Sequence, residues 1–87
     1  MKEMYVVSFN STHHAIRSEK LLKENEMKIQ VLPTPREISA SCGLSISFVK
    51  DDLEDIRELL KENSIDYRGM YCILKKEDGK RDLIELN

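Results

Sequence analysis

Two cysteines and two histidines carry most of the reactive chemistry in this chain: Cys42, Cys72, His13 and His14. The cysteines stand 30 positions apart, with no Cys-x-x-Cys pair and no four- or six-cysteine framework, so each has to be explained alone. Cys72 lies in an apolar run between Tyr71 and Ile73 and reads as a packed core thiol. Cys42 lies in Ser-Ala-Ser-Cys-Gly, a run of small residues, and has two readings. It is either a small buried hydrophobe or a nucleophile, because a thiol becomes a thiolate beside a helix N-terminus or a histidine. His13 and His14 are adjacent and so point in different directions on a helix. His13 is the candidate to take the thiol proton or hydrogen-bond the thiolate, and His14 reads as a solvated or capping side chain. With Cys42 they make only an incomplete metal set with no clear fourth ligand, so no metal site and no cofactor is expected. Arg36 is an ordinary surface charge or a permanent cation able to hold an anion at the thiol.

The elements that must position these groups follow from periodicity. Residues 4–9 are short, β-branched and aromatic, which suits a strand, and Asn10-Ser11-Thr12 then offer helix-capping side chains. Ala15, Ser18 and Leu22 fall on one face of a helix over 12–25, with Asn25 as its stop. Residues 28–32 read as a second strand closed by Pro33. In residues 44–49, Leu44, Ile46 and Phe48 alternate with Ser45 and Ser47 as in a half-buried strand. Asp51 with Glu54 resembles a capping box opening a second helix, whose apolar face is Leu53, Ile56, Leu59 and Leu60 and whose stop is Asn63. Residues 67–75 make a fourth strand, Asp78-Gly79 a tight turn, and Asp82–Leu86 a short edge strand.

The chain repeats itself. Leu21-Leu22-Lys23-Glu24-Asn25 returns as Leu59-Leu60-Lys61-Glu62-Asn63 at an offset of 38, and the helix faces superpose at the same offset. Two β-α-β halves predict an α+β fold, a ferredoxin-like βαββαβ sandwich with antiparallel strand order 4-1-3-2 and both helices on one face. With 87 residues the whole chain, 1–87, is expected to form one domain, its core over 4–75 and a C-terminal hairpin over 76–87. The opposite sheet face, carrying Ser45 and Ser47 and, by register, Val6, Leu32 and Tyr71 or Ile73, is either solvated or used in a homodimer.

The connection between strands two and three is too long for a hairpin: eleven residues, Pro33 to Gly43, where two to five usually suffice. Thr34, Pro35 and Glu37 have the pattern of a capping box and predict one or two helical turns over 35–40, with Gly43 turning the chain into strand three. The topology sets this loop at the same end of the sheet as the start of helix one. Cys42 is thereby expected near Ser11, Thr12, His13 and His14, where free N–H groups and the helix dipole favour an anion.

A net charge of −2 and a pI near 5.7 exclude a general nucleic-acid binder. The apolar runs are far too short to span a membrane, and the start of the chain has no signal-peptide pattern, so a cytoplasmic location is expected.

Tyr5 to Phe9, Ser11-Thr12-His13, Glu19-Lys20-Leu21-Leu22, Pro33-Thr34-Pro35-Arg36-Glu37-Ile38-Ser39 and Ser41-Cys42-Gly43-Leu44 together resemble the putative selenium/sulfur carrier protein-like family over about residues 4–73. The resemblance implies that Cys42 carries sulfur or selenium as a persulfide or selenopersulfide, received from a donor such as a cysteine desulfurase and passed to an acceptor protein. Partner enzymes would do the difficult chemistry, so the chain reads as a carrier rather than a stand-alone enzyme. Ser11, Thr12, Arg36, Ser39, Ser41 and Gly43 would surround the loaded group. Ala40 and Ser41 precede Cys42, so the loop holds no second, vicinal cysteine. The alternative from another class is a non-catalytic regulatory or small-anion-binding module, using the 33–43 loop and the N-terminus of helix one, in which Cys42 only packs. A third reading is a pure dimerisation module using the open sheet face.

Overall fold

The computed structural model describes residues 2–36, 38 and 43–86. Its elements are β1 (Lys2–Ser8), α1 (Thr12–Glu24), β2 (Gln30–Pro33), β3 (Leu44–Phe48), a 3₁₀ turn (Lys50–Asp52), α2 (Leu53–Glu62), β4 (Gly69–Lys75) and β5 (Arg81–Glu85). This is an α+β architecture in which two helices pack on a five-stranded antiparallel sheet of order β2-β3-β1-β4-β5. The order differs from the four-strand expectation, 4-1-3-2 read from the other edge, in that β5 joins the sheet beside β4.

Register sorts the side chains. Tyr5 opposes Phe48 and Cys72, and Val7 opposes Ile46 and Met70. Residues opposed across antiparallel strands share a face, and this face meets Ala15, Leu22, Ile56 and Leu60 in the core. On the other face lie Met4, Val6, Ser8, Ser45, Ser47, Leu32, Ile73 and Tyr71, so that both of the last two belong to it. That face is less open than its composition suggests. Val6, Ser8, Ser45 and Ile73 are all buried within the chain. Tyr71 folds back along β4 so far that a Cβ on Gly69 would sit 2.8 Å from its hydroxyl. Glycine is what lets the ring lie there.

The sequence repeat is a repeat of helix endings. After α1, Glu26 N–H donates to Lys23 O at 3.0 Å and Met27 N–H to Leu22 O at 3.1 Å. After α2, Ser64 N–H donates to Lys61 O at 3.2 Å and Ile65 N–H to Leu60 O at 2.9 Å. Both are Schellman endings, in which a left-handed residue reverses the chain and returns two N–H groups to orphan carbonyls. That residue is Glu26 at φ 59° in one half and Ser64 at φ 54° in the other. Asn25 and Asn63 each add an Nδ2 bond to the carbonyl four residues back, both at 2.8 Å. β2 and β4 begin two residues later than the strands expected from 28 and 67. Met27 and Ile65 are spent closing their helices, and Ile65 is buried beneath α2's end of the core.

The start of α2 corrects an expectation. Asp51 and Glu54 form no capping box. Asp51 lies inside the 3₁₀ turn, Asp52 occupies the cap position in helical conformation (φ −92°, ψ −1°) and makes no capping bond, and Glu54 pairs with Arg57 at 3.1 Å. A side-chain cap needs extended backbone at the cap residue, and here only Val49, with no oxygen in its side chain, has it. The β4–β5 turn holds as expected. Gly79, at φ 86°, donates to Lys76 O at 3.0 Å and Lys76 N–H donates to Lys80 O at 2.8 Å, closing a three-residue loop that needs a left-handed residue in last place.

Candidate functional site

The site is built where three chain segments meet at one end of the sheet. β1 ends at Ser8, and Phe9, Asn10 and Ser11 lead into α1. Ser11 has the extended backbone of a cap residue (φ −133°, ψ 133°), and its Oγ accepts the His13 N–H at 3.2 Å. No acidic residue occupies the first turn of α1. The partial positive charge at this terminus is therefore left without a carboxylate to offset it.

The long β2–β3 connection comes to the same place. Its two ends are pinned together as a neck. Thr34 N–H donates to Gly43 O at 2.9 Å, one rung beyond the Pro33–Leu44 pair, and the Thr34 hydroxyl lies 2.9 Å from Ser45 Oγ. Phe9 N–H reaches Leu44 O at 3.3 Å. A Cβ on Gly43 would lie 3.2 Å from Thr34 Oγ1 and 3.6 Å from Phe9 O. The neck thus abuts Phe9, the residue that follows β1 and stands two positions before the α1 cap. The Thr34 hydroxyl, expected to cap a loop helix, meets Ser45; the Glu37 N–H it was expected to cap lies outside the described residues. Ile38 N–H donates to Pro35 O at 3.0 Å, a single turn in which Arg36 and Ile38 are not helical. The remainder of the helix expected over 35–40, with Glu37 of its capping box, falls outside the described residues.

Of the candidate residues, the structure brings Ser11, Thr12 and His13 to the helix start and Gly43 to the neck beside Phe9. Arg36 is exposed in the 35–38 turn. Cys42, Ser39 and Ser41 lie outside the described residues. His13 is exposed and His14 half-buried, their ring centroids 6.0 Å apart. Cys72 is buried and free, on the helix-facing side against Tyr5. Tyr5 donates its hydroxyl proton to Glu3 Oε2 at 2.7 Å, and this bond, with burial and the neighbouring Cys72, raises the phenol above its ordinary range. Among the described residues no three His, Cys, Asp or Glu side chains are placed to hold a metal ion. None of the described helices is long and apolar enough to cross a membrane. A groove of about 470 Å³ between Met27–Gln30 and Ser47–Val49 lies at the opposite end of the sheet.

Two residues of the site were not legible as such. Thr34 reads as a helix cap, and Ser45 as one of two serines on an open face. Their mutual bond appears only when register sets Pro33 against Leu44. The signal available in sequence was the flanking of Thr34 by two prolines, which denies the neighbouring positions backbone donors.

Fold and site together define a small α+β module whose one long connection is pinned beside a helix N-terminus. The sequence profile of the putative Se/S carrier protein-like family matches residues 4–72, and the chain belongs to that family. The matched span runs from β1 into β4 and leaves β5 beyond it. No curated protein and no solved structure matches the chain.

Proposed function

We propose that this chain is a cysteine-based carrier that holds a persulfide or selenopersulfide on Cys42 and hands it to a partner protein. The observation that carries the reading is the neck. Gly43, the neighbour of Cys42 in sequence, sits against Phe9 O, two residues from the cap of a helix whose first turn has no carboxylate. An anionic sulfur or selenium group held there meets the positive end of α1.

In the loading step the Cys42 thiolate attacks the outer sulfur of a donor persulfide. The new S–S bond forms on Cys42 as the donor's S–S bond breaks, and the donor leaves as a thiolate. One sulfur moves with no net oxidation or reduction. In the delivery step an acceptor nucleophile takes the outer sulfur and Cys42 returns to thiolate. Thr12, His13 and the N–H groups of the first turn of α1 would hold the loaded group, with Ser39, Ser41 and Gly43 around it. The Ser11 hydroxyl, already spent on His13 N–H, would serve by ordering that turn. Arg36, exposed on the turn, would steady the anion or dock the donor or acceptor. The fold then serves as a ferredoxin-like frame for a cytoplasmic carrier.

The carboxylate-free helix start also favours a second reading, a module that binds a small anion while Cys42 only packs. One experiment separates them. In a Cys72→Ala variant, alkylation of Cys42 is followed against pH, and the intact mass is read after exposure to a persulfide donor. The carrier reading expects a midpoint below the ordinary thiol value of about 8.5. It also expects a gain of one sulfur that Cys42→Ser abolishes. A slow thiol of ordinary pKa that never loads overturns it in favour of anion binding.

A further inference from the structure

The sequence repeat carries more than its helix endings. Across the offset of 38 the apolar positions correspond and the exposed charges invert. Ala15, Ser18, Leu21 and Leu22 stand against Leu53, Ile56, Leu59 and Leu60, but Arg17 stands against Asp55, Lys20 against Glu58, and His13 and His14 against Asp51 and Asp52. Two helices of opposite character therefore lie side by side on one face of the sheet. On α1, His13, Ile16, Arg17 and Lys20 fall at i, i+3, i+4 and i+7, which makes them one stripe, and all four are exposed. Ile16, at 57%, is the most exposed large apolar side chain among the described residues. On α2, Asp55, Glu58 and Glu62 make the matching exposed stripe. With Asn25, Met27 and Leu59 they line a groove of about 270 Å³ beside the end of α1. Ion pairs within the chain hold Lys23 to Glu19, Arg57 to Glu54 and Lys76 to Asp82; among the described residues they leave Arg17, Lys20, Asp55 and Glu58 without a partner.

We propose that two copies of this chain pair helix layer to helix layer, α1 of each lying along α2 of the other, around a two-fold axis parallel to the helices. Charge chooses the axis. A two-fold running across the helices would set α1 on α1 and α2 on α2, with Arg17 and Lys20 facing their own copies and Asp55 and Glu58 facing theirs, which like-charge repulsion opposes. The axis along the helices sets each basic stripe on an acidic one. It also keeps the direction of every helix. α1 and α2 leave the antiparallel strands β1 and β3 and so run antiparallel; α1 of one copy therefore meets α2 of the other antiparallel. Arg17 and Lys20 have the same spacing as Asp55 and Glu58. One register thus brings Arg17 level with Glu58 and Lys20 level with Asp55 together, and the symmetry doubles both pairs. The same register sets Ile16 level with Leu59, so the apolar part of the basic stripe meets the apolar part of the groove. The interface is isologous and closes at two copies. Both α1 N-termini then lie at the same end of the assembly.

The test is sedimentation equilibrium of the full chain from about 10 to 500 µM, which covers micromolar association. The wild-type chain is expected to show a reversible monomer–dimer equilibrium that weakens by about tenfold in 1 M salt, where charges are screened beyond about 3 Å. Arg17→Glu/Lys20→Glu should weaken the dimer by about tenfold or more, and Asp55→Lys/Glu58→Lys should do the same, each with the far-UV circular dichroism of the monomer retained. Mixed in equal amounts, the two variants should associate with about wild-type affinity. In that mixed dimer the reversed α1 meets the reversed α2 on one side of the axis and the unaltered pair meets on the other. Ile16→Ser, at a position open to solvent in the single chain, should weaken the dimer by about fivefold and leave the fold intact, which keeps the test decisive should a charge reversal unfold the chain. A chain that is monomeric throughout the range overturns the proposal. So does a dimer that Ile16→Ser leaves unchanged, or one that both reversals leave intact, which would instead use the sheet face around Tyr71. Two folded variants that stay monomeric when mixed overturn it as well.

Discussion

The two β-α-β halves end their helices alike and begin them differently. α1 and α2 share the Leu-Leu-Lys-Glu-Asn ending, the left-handed residue after it and the asparagine bond at 2.8 Å. Their beginnings diverge. α1 has a side-chain cap and no acidic residue in its first turn, whereas α2 follows a 3₁₀ turn and carries Glu54 and Asp55 in its own first turn, behind Asp51 and Asp52. The buried faces diverge too. α1 presents Ala15 and Ser18 where α2 presents Leu53 and Ile56. Among the described residues the buried Ser18 hydroxyl has no hydrogen-bond partner. One helix is built to hold the sheet, with carboxylates complementing its dipole. The other gives up part of that stability and keeps a positive end beside the loop. The half whose helix start lacks carboxylates is the half that holds the candidate site.

The buried faces offer the largest break of this comparison. Ile56→Ala is expected to cost about 3 kcal/mol in urea unfolding, through lost burial and a cavity. At the matching position of α1, Ser18→Ala removes an unpaired buried hydroxyl and should be neutral or stabilise by about 1 kcal/mol. Comparable losses at both positions would show that α1 bears as much of the core as α2.

Next come the caps. Ser11→Ala deletes a hydroxyl that accepts the His13 N–H and should cost about 1 kcal/mol. Asp52→Ala, where no capping bond exists, should cost about 0.5 kcal/mol or less. Chemical denaturation of the pair reads the difference directly.

The shared ending predicts equality where the starts predict contrast. Glu26→Gly and Ser64→Gly each relieve a left-handed residue, and each should raise stability by about 0.5–1 kcal/mol. A gain in only one half would mean that one of the two endings is held by something other than the helix.

The smallest effect on stability is the most informative about function. His14→Glu supplies the carboxylate that the first turn of α1 lacks and should raise stability by about 0.5 kcal/mol. The same charge should repel an anionic group at that helix start, so sulfur loading or anion binding should fall in the variant that folds better. A variant that gains both would separate the helix end from the site.

How much of this was readable in advance follows the same division. Periodicity is local, so Ala15, Ser18 and Leu22 on one helix and Ile56 and Leu60 on the other were legible as buried positions, and all five are. Asn25 and Asn63 announced their helix ends. The repeat was visible as a five-residue echo, but its content, two Schellman turns through Glu26 and Ser64, was not. Those positions normally go to glycine, and nothing in the identity of Glu or Ser signals a positive φ. The α2 start misled for a related reason. Asp-x-x-Glu spacing is necessary for a capping box, but the backbone of Val49–Asp52 decides which residue can cap, and that is set by how the chain leaves β3. That the two ends of the long connection lie at the end of the sheet where β1 leads into α1 was legible from topology alone. The Thr34–Ser45 bond that pins it was not, since it depends on register between strands far apart in sequence.

That pinned neck has a consequence for how this chain can vary. Eight residues, 35–42, lie between Thr34 and Gly43, whose backbone bond closes the connection at the sheet. The entropy of closing such a loop grows slowly, by only about 0.6 kcal/mol when its length doubles. A change in the length of that segment should therefore cost the strands beneath little, so long as Thr34, Gly43 and Ser45 stay. A chimera carrying a longer or unrelated segment between those anchors should fold on the same frame and bring different chemistry to the same helix end.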